Sequence, residues 1–159
     1  MSDPDAFRQA QADCLRWLAR REYSRTELIH KLRGKGHDEA TARSAVDAVS
    51  EDGLQSDERC VDSLVRGRVA RGQGPQRIRQ ALRDKGLSPG SADALAGYDW
   101  AAVIAEVYRR KYGASQPASP KERASRMRFL AQRGFSGEQI SALFRRLPRA
   151  TEFEDLDID

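Results

Sequence analysis

The chain is poor in the residues that build catalytic or redox centres. It has two cysteines, Cys14 and Cys60, and two histidines, His30 and His37, in 159 residues. Two lone thiols at periodic apolar positions read as small buried residues of a reducing compartment, not as a disulfide framework. The histidines have no cysteine or carboxylate at metal-ligand spacing, so they suggest no zinc site, and His37 reads as a turn residue making loop or surface contacts. Gly34-Lys35-Gly36 and Gly72-Gln73-Gly74 echo phosphate loops, yet neither follows a strand or precedes a Lys-Ser/Thr pair; both read as caps and turns. No serine or cysteine shares a motif with a histidine base. The sequence therefore reads as non-enzymatic, with no catalytic residue, no metal and no cofactor.

Long apolar runs are missing too. None approaches the ~20 residues that span a bilayer. The opening MSDPDAFRQAQADCL has neither a basic n-region nor an apolar h-region, so a cytoplasmic protein is expected. Alternating β-branched runs and Asn-Gly hairpins are absent, which removes the strand signals. Aromatics make up 7% of the chain, against 39% hydrophobic and 33% charged residues. That balance suits a thin fold with much surface better than a large spherical core.

What the sequence does have is helix punctuation. Helices are predicted at 4–20, 25–34, 38–52, 57–71, 75–85, 89–97, 99–112, 121–133 and 137–147. Ser24-Arg25-Thr26-Glu27 is a capping box, in which the serine accepts from the fourth residue's amide and the glutamate reaches back. Tyr23 and Leu28 flank it at the positions of a hydrophobic staple. Ser136-Gly137-Glu138-Gln139, flanked by Phe135 and Ile140, repeats the pattern. Between them, Gly74-Pro75-Gln76-Arg77-Ile78 offers a weaker glycine cap with proline at the first helical position.

Each start leads into a matching apolar pair: Leu28/Leu32, Ile78/Leu82 and Ile140/Phe144. Lys35-Gly36 and Lys85-Gly86 close the helices in the first two copies, with glycine able to turn left-handed. The first two copies are offset by 50 residues and the next two by 62. The longer step is explained in part by a Pro/Ser/Ala linker at 114–120.

The expected fold is all-α: three tandem three-helix, helix-turn-helix-like repeats forming an elongated, curved array. The repeats are assigned to 1–53, 54–98 and 99–149, followed by an acidic, disordered tail at 150–159. The core is expected from Leu15, Leu18, Leu28, Leu32, Val46 and Val49, then Val61, Leu64, Ile78, Leu82 and Leu95, then Val103, Val107, Leu130, Ile140 and Phe144.

Charge is distributed unevenly. The last nine residues, TEFEDLDID, hold five acidic side chains and no basic one, leaving 28 basic against 19 acidic elsewhere, a net of +9. A basic body suits a polyanion or an acidic protein groove. Arg21, Arg71 and Arg133 share one aligned column before the second helix of each repeat, and Arg33, Arg83 and Arg145 share another near its end. Arginine at a helix end also complements the dipole, which accounts for the second column without a partner. Further basic residues gather around these columns: Arg25, Lys35, Arg66, Arg68, Arg77, Arg79, Arg109, Arg110, Lys111 and Arg126. This set is the candidate binding surface, and charge alone does not separate phosphate from acidic protein as its target.

Three segments carry a family likeness: Leu18–Gly36 (LARREYSRTELIHKLRGKG), Trp100–Gly113 (WAAVIAEVYRRKYG) and Lys121–Ile140 (KERASRMRFLAQRGFSGEQI). The chain resembles the RecX family of bacterial regulatory proteins over about residues 10–147. The resemblance implies a non-catalytic modulator of the RecA recombinase. Such a protein lies along the groove of the RecA–single-stranded-DNA filament and suppresses ATPase, strand exchange and co-protease activity, and a monomer is expected. Two features depart from the pattern: Gln73-Gly74 stands where the other repeats have aromatic-Ser, and the residues after Arg149 are acidic. The alternative is a DNA-binding helix-turn-helix protein independent of RecA, built on 25–34, Lys35–His37 and 38–52. Its recognition helix, EATARSAVDAVSED, would carry one arginine among many acids and is ill suited to phosphate.

Overall fold

A computed structural model describes residues 3–88 and 92–149. Nine α-helices and no strand occur among the described residues: α1 (Pro4–Leu18), α2 (Arg25–Gly34), α3 (Glu39–Glu51), α4 (Asp57–Ala70), α5 (Pro75–Asp84), α6 (Ala92–Ala96), α7 (Trp100–Tyr112), α8 (Pro120–Gln132) and α9 (Gly137–Arg146). The all-helical class and the order of helices are those expected. The expected start of the sixth helix at 89, and the acidic tail at 150–159, lie outside the described residues. Pro120, assigned to the linker, is instead the first residue of α8, capped by Ser119. Proline there gives up only an amide that would have no partner in the helix.

The described contacts group into two compact units, Met1–Leu64 with Ala81–Ser91, and Val65–Gln80 with Ala92–Asp159. The first is built on α1, α2 and α3, around Ala10, Cys14, Tyr23, Leu28, Leu32, Ala42, Ala45, Val46 and Val49. Small residues on α1 and α3 let the helices approach closely. Both parts of the Ser24 capping box form: Glu27 N–H donates to Ser24 Oγ, and Ser24 N–H donates to Glu27 Oε1, each at 3.0 Å. The same hydroxyl donates to the Lys85 carbonyl at 2.7 Å, fastening the start of α2 to the end of α5.

Leu15 was expected inside but is 43% exposed. The buried face of α1 runs through Ala10 and Cys14, one helical turn apart, and this places Leu15 on the far side. Beside Cys14, buried Asp13 accepts from Lys35 Nζ at 3.1 Å and from Arg16, and lies 3.3 Å from His37 Nε2. Burial pushes the Asp13 carboxyl up, but these three partners outweigh it and hold the group below its ordinary value. His37 is therefore tied to the interior end of α1 and is not a free surface contact. Burial pushes both thiols, Cys14 and Cys60, up to about 11, so neither has thiolate character near neutral pH.

The second unit packs α7, α8 and α9 around Ile104, Tyr108, Leu130, Phe135, Ile140, Leu143 and Phe144. Tyr108 meets Phe144 edge-on, and its hydroxyl donates to the Ser115 carbonyl at 2.7 Å. Val103 and Val107, expected in the core, are half-buried. The Ser136 capping box closes as the sequence predicts, with Gln139 in the glutamate's place.

The middle repeat's departure also finds its cause in this unit. Gly74 N–H donates to the Arg133 carbonyl at 2.7 Å, and Gln76 N–H donates to the Gly134 carbonyl at 3.0 Å. A Cβ at Gly74 would lie 2.4 Å from the Gly134 carbonyl carbon. A serine cap cannot occupy that space, so the start of α5 trades a side-chain cap for backbone hydrogen bonds.

Candidate functional site

The aligned arginines must be placed by the helices that carry them. α4 ends in a left-handed turn at Gly72 (φ 80°), and this turn presents Arg71. Arg133 caps the C-terminal end of α8, and its guanidinium Nη1 donates to the Arg71 carbonyl at 3.2 Å. Between them lies a cleft of about 740 Å³ within the second unit. One face of α7 walls it with Ala102, Val103, Glu106, Val107, Arg110 and Lys111, which recur at helical spacing; Val69, Arg71, Phe129 and Arg133 complete it.

The lining of the cleft mixes apolar side chains with cations. Lys111 Nζ sits 3.8 Å from the centre of the Phe129 ring, and the Arg133 guanidinium carbon 5.4 Å from it. Glu106 is the acidic group in the lining, and it is already engaged. Bonds from Arg109 Nη2 at 2.8 Å and Arg110 Nε at 3.0 Å hold its carboxyl down at about 2. Arg71, Lys111 and Arg133 have no carboxylate partner among the described residues, which leaves their charge available to a ligand.

The other candidate cations occupy varied settings. Arg21, aligned with Arg71 and Arg133, donates to Glu27 Oε2 at 3.1 Å and stacks 3.6 Å above the Tyr23 ring in the first unit. Arg25 pairs with Asp47, Lys35 with Asp13, and Arg109 and Arg110 with Glu106. Arg68 donates to Gln73 and Arg77 to the Gln132 carbonyl. Arg126 is half-buried and donates to the Tyr108 hydroxyl at 2.7 Å. Arg33 lines a smaller depression of about 250 Å³ with Arg25, Ile29, His30 and Arg43. Arg66, Arg79, Arg83 and Arg145 are exposed. Only part of the basic set therefore converges on one feature.

The chain matches three models of one family along its length: RecX, first three-helix domain, over residues 10–47; RecX, second three-helix domain, over 56–94; and RecX, third three-helix domain, over 98–144. It is 41% identical over 146 residues to Regulatory protein RecX of Halorhodospira halophila, covering 89% of this chain and 91% of that protein. The chain belongs to the RecX family. Regulatory protein RecX of Chromohalobacter salexigens is 43% identical over 131 residues, covering 80% of this chain and 86% of its relative. The crystal structure of RecX from Lactobacillus salivarius superposes with a TM-score of 0.73 at 21% identity, covering 98% of this chain and 99% of that one, and so shares the fold.

In this member of the RecX family, sequence reasoning missed Glu106 and Phe129 as parts of the site. The recurrence of 102, 103, 106, 107, 110 and 111 on one face of α7 was visible in the sequence, but its apolar members read as core. Among the described residues no cluster of three His, Cys, Asp or Glu side chains could hold a metal, and no helix is long and apolar enough to cross a membrane.

Proposed function

We propose that this protein binds RecA and the RecA–single-stranded-DNA filament in the cytoplasm, as a monomer without catalysis, and inhibits ATPase, strand exchange and co-protease activity. Membership of the RecX family supports a regulatory role. The observation that carries the contact surface is the cleft where Arg71, Lys111 and Arg133 stand without carboxylate partners beside apolar walls. The remaining exposed cations, among them Arg66, Arg79 and Arg145, extend the positive surface that a phosphate-lined filament attracts. The repeats at 1–53, 54–98 and 99–149 are the modules we assign to successive contacts along it.

RecA ATPase on single-stranded DNA, with this protein titrated in, tests the reading. The unmodified chain is expected to lower the rate, and the Arg71→Glu/Lys111→Glu variant to lose most of that effect with its helical circular dichroism unchanged. Full inhibition by the variant would remove the cleft from the mechanism. No inhibition by the unmodified chain would remove the mechanism itself. A gel shift without RecA separates the alternative of an independent DNA-binding protein. The described geometry gives that alternative little, because Arg43 on α3 is paired with Glu39 on the same face.

A further inference from the structure

The cleft in the second unit combines two chemistries, and one short stretch of this chain combines their complements. Residues 151–159 place acids at Glu152, Glu154, Asp155, Asp157 and Asp159, with Phe153, Leu156 and Ile158 interleaved. The cleft offers Arg71, Lys111 and Arg133 around Val69, Val103, Val107 and Phe129. Arg71 and Lys111 are exposed and Arg133 is half-buried, so charge pairing alone would contribute little there, and apolar contact with the lining has to supply the rest. Ordinary surface chemistry explains the acids alone but not their alternation with large apolar side chains.

The point of attachment brings this stretch within reach. After α9, the Pro148 carbonyl accepts from Gln116 N–H at 3.1 Å, and the Leu147 carbonyl accepts from Gln116 Nε2 at 3.2 Å. Gln116 follows the cleft residue Lys111 by five positions, at most about 18 Å of extended chain. Ten residues beyond Arg149 can themselves span roughly 33–36 Å. The acidic stretch can therefore reach the cleft with chain to spare. Being on the same chain, it would act at an effective concentration of about millimolar, so a weak contact suffices.

We propose that the segment Glu152–Ile158 docks in cis into this cleft, its carboxylates on Arg71, Lys111 and Arg133 and its Phe153, Leu156 and Ile158 against the apolar lining. In that state the chain shields its own most available cations, and a polyanion or an acidic partner must displace the segment to use them. This proposal does not depend on RecA as the partner.

The test is site-specific photocross-linking in the full chain, with p-benzoylphenylalanine in place of Phe153 and products mapped by mass spectrometry. Cross-links are expected within the chain, at residues 69–72, 102–111 or 129–133, with a yield independent of protein concentration. The yield should fall several-fold with Arg71→Glu/Lys111→Glu, and likewise in about 1 M NaCl, where the Debye length is roughly 3 Å. Cross-links that map elsewhere, such as the depression of Arg25, His30, Arg33 and Arg43, would overturn the proposal. So would a yield that rises with concentration, which would point to a second copy, or one that ignores both the charge reversal and the salt. None of these readouts contains RecA, so their failure would leave the proposed filament regulation standing.

Discussion

Arg21 and Arg71 occupy the same column of the repeat, yet their surroundings give them different work. Arg21 holds Glu27 at 3.1 Å and caps the Tyr23 ring at 3.6 Å, so it braces the start of α2. With its side chain 48% exposed, the ion pair is worth little and the ring contact carries much of the effect. Arg21→Ala is expected to cost about 1 kcal/mol, read as a lowered urea midpoint, and to leave the polyanion binding proposed for the cleft unchanged. Arg71→Ala should do the reverse. Its unfolding free energy, from urea titration, is expected to stay within about 0.5 kcal/mol of the parent, while binding to oligothymidylate weakens and its logarithmic salt slope shrinks by about 0.7. The column itself was legible in the sequence. The split in roles was not, because it depends on whether a carboxylate from the next turn lies within reach, which alignment of like residues does not encode.

At the scale of elements, each repeat begins its second helix in the same way but secures it differently. α2 and α9 use serine capping boxes, whereas α5 starts from Gly74, whose amide is taken by the Arg133 carbonyl. Gly74→Ala would put a Cβ 2.4 Å from Gly134 and force the two turns apart. Overpacking of this kind costs about 1–3 kcal/mol. A drop of that size is expected in thermal or urea unfolding, alongside a loss of the polyanion binding proposed for the cleft, because Arg71 and Arg133 flank the displaced turns. An unchanged midpoint would show that the contact is soft. Helices with strong caps were legible to within a residue or two, since the capping box is a local signal. Leu15 was misread because α1 buries its small residues Ala10 and Cys14, and a pattern of large apolar side chains points to the wrong face. The cleft was not legible as a whole: Phe129 and Arg71 belong to different repeats, and only tertiary packing brings them to α7.

For the whole molecule, the bookkeeping of repeats and the bookkeeping of contacts differ. The sequence divides into three similar segments, but contacts gather into two units, and α4 and α5 each contribute residues to both. A helix of 10–14 residues is marginal on its own in water and takes its stability from packing. An excised fragment spanning 54–98 is therefore expected to show far less helix by circular dichroism than the same residues contribute within the full chain. A fragment as helical as the intact protein would mean that the middle repeat carries its own core. The pairing of Gly74 with Gly134 also has a consequence for how such a chain drifts over generations. A serine introduced at position 74 alone would meet the turn at Gly134, so it could be accommodated only if that turn shifted with it. Positions 74 and 134 lie on separate repeats yet constrain each other, so at this point one copy cannot simply stand in for another.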